Sequence, residues 1–266
     1  MTTIIRSAGP SPTSALAAID MARARRDREI VKLPGLVAWW WPGFGVTNPG
    51  SGTEATGGSM VFRDMINLWE MRPMSDTGPQ LIASAHNSQP CLRFNAAGRN
   101  GRLYDADGHD LWPGSASVTL AYVAKDAGGS NTAYLGTDKA SGYAEIRHAS
   151  SGAVQVRHVE PTNVLSEIPP SGDTVPHIGI YSYDFSDKTF AYSMNGTTTD
   201  TGTAAEEVAS PSNKLTIGTA GATGSPTFRG DFHELLVFNV ALHRSEYALP
   251  LATLKAFLKS VNRYNL

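Results

Sequence analysis

The chain has 266 residues, of which 22 are basic and 24 acidic, so its formal net charge is -2. A general nucleic-acid binder needs a basic surplus to attract phosphates, and this charge therefore argues against nucleic acid as a partner. The 26 glycines, 16 prolines and 17% charged residues are typical of short strands joined by turns, and they argue against a helical bundle or a disordered chain. No run of about 18 apolar residues and no apolar leader is present, so we expect a soluble chain without membrane insertion.

Residues 1–34 differ in composition from the rest of the chain. Residues 11–14 offer a helix start, and the glycine-free stretch after them predicts a helix. Its apolar positions, Leu16, Ile19 and Ile30, are sparse and stand among arginines and acids. A helix with so narrow an apolar stripe buries little surface by itself. We therefore predict an N-terminal helical arm that either packs on the main domain or serves attachment or oligomerisation through another chain.

From residue 35 onward, short apolar runs alternate with turn residues. We predict strands at 36–41, 91–94, 103–104, 117–124, 143–148, 153–159, 177–183, 189–194, 215–217 and 232–238, and an irregular segment at 61–81. Turn residues at 150–152 and 184–188, and the Asn-Gly pair at 195–196, predict hairpins. The three tryptophans at 39–41 cannot all face one side of a strand, so at least one is expected in the core.

The strand at 232–238 carries apolar side chains on both faces. Leu235 and Val237 point to one side and Leu236 and Phe238 to the other, which is typical of a strand in the interior of a sheet.

A helix is expected near the C-terminus. Ser245, with an acid directly after it, predicts the N-cap. The helix itself is predicted at 250–261, and its stripe of Leu251, Leu254, Leu258 and Val261 should pack on the sandwich.

Strands across some 200 residues with helices only at the ends predict an all-β fold, a two-sheet antiparallel sandwich. The predicted domains are an arm at 1–34 and a main domain at 35–266 that includes the terminal helix. One cysteine, Cys91, allows no intrachain disulfide, and we interpret it as a small buried apolar side chain.

With these elements in order, the chain resembles the laminin-G-like, concanavalin A-like jelly-roll domains of bacterial surface proteins and of phage tail and virion proteins. The residues that carry the resemblance are 36–40, 89–95, 117–123, 192–196, 215–218 and 230–239, followed by Ala241, Leu242 and Glu246. The resemblance implies a jelly roll over roughly residues 35 to 260. It also implies carbohydrate binding, sometimes through calcium, and a virion component in preference to a secreted enzyme.

Glycosidases that share this sandwich resemble one another in a Glu-x-Asp-x-x-Glu strand, which holds an acid and a nucleophile at short separation. The chain has no such pattern: Glu145 and Glu234 stand without the partners it requires, and residues 206–207 fall in a polar loop. On this ground we expect a protein that is not an enzyme.

Asp105, Asp107 and Asp110 lie close together in a loop that contains glycine. Hard cations favour such oxygen-rich loops, so calcium is one hypothesis, and an Asp-rich surface turn is the other. Next to the loop, Trp112 and Tyr104 could stack on a sugar ring, or they could be ordinary buried aromatics.

Two further motifs are weaker. His148, His158 and His177 could come together across strands as a zinc site, but nothing in the sequence fixes their register. The Arg-Gly-Asp tripeptide at 229–231 matches a cell-adhesion motif, but it enters a strand predicted to be buried.

The resulting hypothesis is a non-enzymatic virion surface protein of the tail or head fibre, receptor-binding or decoration type, whose jelly roll contacts host-surface carbohydrate. Residues 1–34 would bind other virion proteins or support a homo-oligomer. The alternatives are a purely structural decoration or fibre subunit without a ligand, and a polysaccharide-cleaving enzyme. A bacterial cell surface or the extracellular space is the alternative location.

Overall fold

A computed structural model describes two antiparallel sheets packed face to face. The described residues are 27–47, 60–73, 78–94, 101–112, 115–127, 132–137, 144–149, 152–159, 162–167, 175–204, 214–219, 228–260 and 263–266. The predicted all-β sandwich with a C-terminal helix is confirmed.

The first sheet, called the front sheet here, has eight described strands. They are β1 (Leu36–Trp40), β5 (Gln80–His86), β6 (Gln89–Phe94), β8 (Val118–Asp126), β13 (His177–Tyr183), β14 (Thr189–Met194), β15 (Thr197–Thr203) and β17 (Gly230–Phe238). Their order is β15-β14-β13-β8-β17-β6-β5.

The back sheet has nine described strands. They are β2 (Val46–Thr47), β3 (Val61–Arg63), β4 (Glu70–Pro73), β7 (Leu103–Asp105), β9 (Thr132–Thr137), β10 (Glu145–His148), β11 (Val154–Val159), β12 (Thr162–Glu167) and β16 (Leu215–Ile217). Their order is β12-β11-β10-β9-β16-β7-β4-β3-β2.

Strand β17 is an interior strand of the front sheet, as predicted. It pairs with β8 along its whole length, and on its other side with β6 at its start and β1 at its end. All nine of its residues are buried. Leu235 and Val237 face the back sheet, whereas Leu236 and Phe238 face outward into a second apolar cluster.

Hairpin turns fall where the sequence predicted them. Asn195 and Gly196 join β14 to β15 with φ of 49° and 85°, the positive values that a tight two-residue hairpin requires. By contrast, the described residues of the segment 61–81 are not the irregular stretch that was predicted. They contribute β3, β4 and the start of β5, which are too short and too polar to show a period-two pattern.

The three tryptophans at the start of the sandwich separate, because successive side chains of a strand point to opposite faces. Trp40 lies between the sheets, and Trp39 lies on the outer face of the front sheet. Trp41, like Trp39, lies on the outer face, and the Arg263 guanidinium is 4.7 Å from its ring centroid.

The C-terminal helix spans Ala248–Lys259 and follows a 3-10 turn at Ser245–Tyr247. Ser245 was expected to cap this helix, but its side chain makes no capping hydrogen bond, since the 3-10 turn separates it from the helix start. The predicted stripe is right at Leu254 and Leu258, which are buried, whereas Leu251 is half-buried and Val261 lies outside the described residues. The prediction missed Phe257, whose ring meets Trp39 edge-on at 5.6 Å.

Part of the N-terminal segment is described. Residues 27–30 are helical, and Ile30 is buried in the outer cluster beside the C-terminal helix. The rest of the predicted arm, residues 1–26, lies outside the described residues. Within the described ranges, no helix has the length and apolar character to span a bilayer.

Candidate functional site

A groove runs along the outer face of the front sheet, beside the N-terminal end of the C-terminal helix. Its volume is about 620 Å³, and its lining consists of Thr189, Phe190, Thr201, Gly202, Thr203, His243, Arg244, Ser245 and Glu246. We call it the outer groove. The strands β14 and β15 place it there because their outward positions carry hydroxyl side chains and no large apolar residue.

Towards the helix, the outer groove adjoins a smaller pocket of about 140 Å³. The two share Thr201 and His243. The smaller pocket has an apolar floor of Ile180 and Ala191, and Leu251 of the helix closes one side. The two adjoining parts of this depression therefore offer hydroxyl and charged groups in the outer groove and a small apolar surface in the smaller pocket.

A chain of hydrogen bonds links the two parts of this depression. The ring nitrogens of His243 lie 2.8 Å (Nδ1) from Ser182 Oγ and 3.1 Å (Nε2) from Thr189 Oγ1. Thr189 donates its hydroxyl proton to Asp187 at 2.6 Å, so it can only accept from His243 Nε2–H. His243 Nδ1 is then the acceptor for the Ser182 hydroxyl. In its neutral form, the imidazole is thus held in one tautomer between two hydroxyls.

Opposite charges fix the mouth of the outer groove. Arg244 contacts the carboxylates of Asp184, at 3.1 Å, and Asp187. Hydrogen bonds from Thr189, helped by Arg244, lower the pKa of Asp187 to about 2, so this carboxylate is ionised at neutral pH. Burial lowers the pKa of His243, and the carboxylates around it only partly oppose that shift.

The aromatic residues predicted to meet a sugar lie in different environments. Trp112 has no exposed surface and packs 6.1 Å from Tyr181 in the core. A ring enclosed on all sides cannot stack on a ligand, so Trp112 belongs to the core. Tyr104 is half-buried on β7 of the back sheet, with Lys214 Nζ 5.1 Å from its ring centroid. Neither residue lines the outer groove.

The predicted aspartate cluster is only partly assembled. Asp105 is fully buried and accepts hydrogen bonds from the backbone nitrogens of Asp107 and His109. The third side chain close to the Asp105 and Asp107 carboxylates is that of His109, whose Nδ1 lies 3.1 Å from Asp105. Asp110 is exposed and is not part of this group. Because backbone donors already use the Asp105 oxygens, the loop fits an Asp-stabilised turn, and calcium stays a prediction.

The two glutamates considered for glycoside hydrolysis lie in different sheets. Glu145, on β10, is fully buried between Arg147 at 3.5 Å and Arg157 at 3.4 Å. Glu234, on β17, is fully buried and accepts hydrogen bonds from Trp39, Arg263 and Tyr264 at 2.7, 2.9 and 2.8 Å. The fold does not bring these carboxylates together as an acid and nucleophile pair.

The histidines of the hypothetical zinc site do not assemble in the described part of the chain. His177 packs edge-on between Tyr122 and Tyr134, and burial lowers its pKa to about 4. His148 lies 3.1 Å from Asp126, and the His158 side chain falls outside the described residues. No group of three metal-binding side chains in that part includes any of them.

Asp231 of the Arg-Gly-Asp tripeptide is buried, as the strand prediction required. Both its oxygens bind Arg93 of β6, at 2.6 and 2.8 Å. Because this carboxylate is buried and ion-paired, it is not exposed as a cell-adhesion motif requires.

No protein-family model matches the chain, and no curated protein matches its sequence. Solved structures do resemble it. A sialidase of Trypanosoma rangeli bound to the inhibitor DANA is 13% identical with a TM-score of 0.55, over 90% of this chain and 38% of that one. A mutant NanB sialidase of Streptococcus pneumoniae is 19% identical with a TM-score of 0.48, over 59% and 26%. The CBM40 domain of a Ruminococcus gnavus sialidase, bound to sialyllactose, is 14% identical with a TM-score of 0.43, over 51% and 82%.

These likenesses concern the β-sandwich of sialidases and of a carbohydrate-binding module. This chain spans about a quarter of the length of the NanB sialidase and less than two fifths of the trypanosomal one. At such identities the fold alone is shared. The trypanosomal likeness, whose TM-score is above 0.5, therefore supports the predicted β-sandwich, and the phage and virion setting is not part of what these structures share with it.

The expectation that the chain is not an enzyme is corrected by the same comparison. It rested on the missing pair of carboxylates, but the trypanosomal structure that shares this sandwich is a sialidase. Sialidases use a tyrosine nucleophile and do not follow the two-carboxylate rule. The absence of a Glu-x-Asp-x-x-Glu strand thus does not exclude a glycosidase.

The sequence pattern alone did not predict the residues of the outer groove. The signal was present in two predicted strands, where outward positions change from Ile178 and Ile180 to Ser182, and then to Thr189 and Ser193 on the neighbouring strand. His243 gave no signal of its own, because only the fold brings the turn after β17 against β13.

Proposed function

We propose that the domain binds carbohydrate in the outer groove. The observation that carries this proposal is a cleft of about 620 Å³, within the usual range for small-molecule sites, lined by hydroxyl and charged side chains in fixed orientations. Sugars present many hydroxyls that both donate and accept, and the side chains of Thr201, Thr203 and Ser245 can do the same. The lectin-like sandwich supports the proposal at the level of fold.

The polar groups of the outer groove are held before a ligand arrives. Thr189 and His243 are fixed by the hydrogen-bond chain to Asp187, and Arg244 is fixed by its two carboxylates. Side chains already ordered lose little conformational entropy on binding, which raises the affinity obtained from a few hydrogen bonds. The exposed Glu246 and the ion-paired Arg244 favour a neutral or mixed-charge sugar over a polyanion.

A glycan array with the full chain tests the proposal, with hits measured again by calorimetry. Thr201 is exposed and lines both parts of the depression, so Thr201→Trp should fill it and weaken binding at least about tenfold. Thr197→Trp is the matched control, because Thr197 is exposed on the same strand outside the groove. Equal carbohydrate binding by both variants would mean that the binding site lies outside the outer groove. An array on which no glycan is bound would favour the purely structural alternative.

The virion surface is proposed as the setting on the basis of the sequence resemblance and of the distinct residues 1–34. Display of many copies would turn weak sugar contacts into avidity. Deleting residues 1–26 should then abolish assembly, as measured by light scattering, while leaving the circular dichroism of the sandwich unchanged. Assembly by the truncated chain would contradict this part of the proposal without affecting the outer groove.

A further inference from the structure

A second cluster of reactive side chains lies on the outer face of the front sheet, away from the outer groove. Cys91 of β6 and Asp231 and His233 of β17 each offer a ligand atom, and these atoms lie within 4.8 Å of one another. All three residues are buried, and Cys91 and His233 have no exposed surface. The three are adjacent because β6 pairs with β17, with Arg93 opposite Asp231, and side chains two residues apart share a face.

A β-bulge contributes to the arrangement. Between Phe232 and Glu234, β17 advances by two residues while β8 advances by one, so His233 is the extra residue. Bulges of this kind re-aim a side chain, and here the imidazole is turned towards β6. Its Nδ1 lies 3.2 Å from the carbonyl oxygen of Pro90, to which Nδ1–H donates.

That hydrogen bond leaves the other ring nitrogen, Nε2, with an unused lone pair. His233 Nε2 is buried and has no hydrogen-bond partner, which is costly for a polar atom without a ligand. A histidine that donates one ring N–H to a backbone carbonyl and presents the other nitrogen is the usual arrangement of a metal-binding histidine. The thiol of Cys91 and the carboxylate of Asp231 supply the neighbouring donors.

We propose that Cys91, Asp231 and His233 form a binding site for a zinc ion. One sulfur, one nitrogen and one oxygen donor suit zinc, whereas calcium and magnesium require oxygen ligands. With three protein ligands, the zinc ion would take water as its fourth ligand. Arg93 does not prevent binding, because it uses two of the roughly four acceptor positions of the Asp231 carboxylate and leaves the others for the metal.

Binding has a defined proton balance. The zinc–sulfur bond forms as the S–H bond of Cys91 breaks, and the proton leaves to solvent, so each bound ion releases about one proton. His233 contributes a lone pair and releases none. No change of oxidation state occurs.

The test uses the full chain without an affinity tag, freed of metal by a chelator. Calorimetry with Zn²⁺ in two buffers of different protonation enthalpy should give about one site and about one proton released per ion. Co²⁺ should produce a thiolate-to-cobalt charge-transfer band, which in this chain can arise only from Cys91, its sole cysteine. Because this readout uses the unmutated protein, it does not depend on the folding of any variant.

Two matched variants then locate the ion. Cys91→Ser should abolish the cobalt band and weaken Zn²⁺ binding at least about tenfold. His109→Asn removes the histidine of the Asp105 loop, which is the other group of candidate metal ligands in the described chain. This variant should leave the cobalt band and Zn²⁺ binding unchanged. No band in the unmutated protein, or Zn²⁺ binding that depends on His109 and not on Cys91, would overturn the proposal.

Discussion

The outer face of the front sheet has two halves that differ in what covers them. Over β1, β17 and the start of β13, the outward side chains are Trp39, Leu236 and Ile178, and the C-terminal helix covers them. Over β14 and β15, the outward side chains are Thr189 and Thr201 with their hydroxyl-bearing neighbours, and the face stays open as the outer groove. The same sheet is thus a second core at one end and a candidate binding surface at the other.

The difference lies in the alternate residues of a few strands. Burying an apolar side chain stabilises the fold by about 1.5–3 kcal/mol, so a helix gains by lying over Trp39 and Leu236. Covering hydroxyls would instead remove them from water, which costs free energy unless each finds a partner. The outward side chains therefore determine which half of this face the helix covers.

The covered half should be the most sensitive part of the molecule, and its charged centre should show the largest effect. Arg263→Ala leaves the fully buried Glu234 without its cation, and we expect a loss of about 3–5 kcal/mol in the free energy of unfolding, measured by urea denaturation. Lys259→Ala, at an exposed position of the same C-terminal region, should change it by less than about 0.5 kcal/mol.

The cause can be separated from lost packing by a double variant. Glu234→Gln removes the charge and keeps an acceptor oxygen for Trp39, while its NH2 group can donate to the Tyr264 oxygen, so adding it to Arg263→Ala should recover part of the stability. If the two losses simply add, the contribution of Arg263 is its contact with the rings of Trp41 and Phe257 and not its charge.

Two leucines of the C-terminal helix compare the halves directly. Leu254 is fully buried in the covered half, whereas Leu251 is half-buried and lines the pocket beside His243. We expect Leu254→Ala to cost about 3 kcal/mol and Leu251→Ala about 1 kcal/mol, because the first leaves a closed cavity and the second widens an open one. Thermal and urea unfolding measure both. Equal losses would mean that the helix covers the outer groove as well.

Much of this architecture was predictable because the apolar pattern of single strands determines it. The interior position of β17 followed from residues 235–238, and the β14–β15 hairpin followed from Asn195 and Gly196. Strands such as β9, β12 and β15 were missed, since their threonines and small residues show no hydrophobic alternation.

The candidate sites were far less accessible to sequence reasoning. The aspartate loop was predicted from residues that are close in the chain. In the structure, His109 and not Asp110 lies with Asp105 and Asp107, and Asp105 is buried. The outer groove and the Cys91 cluster each unite residues more than 50 positions apart, and only strand order and the bulge at His233 bring them together. No local spacing could have predicted these contacts.

The smallest expected effect concerns the histidine of the open half and shows how enclosed that half is. Burial lowers the pKa of His243 below 6.5, so its stabilising neutral form is fully present above pH 6.5 and is lost as the pH falls through the folded-state pKa. Asp187 raises this pKa and Arg244 lowers it. In an NMR titration of the imidazole, Asp187→Asn should therefore move the midpoint down and Arg244→Gln should move it up. A midpoint at or above 6.5 in the unmutated protein would show a solvated ring, and the outer groove would then lack the fixed tautomer that orients Ser182 and Thr189.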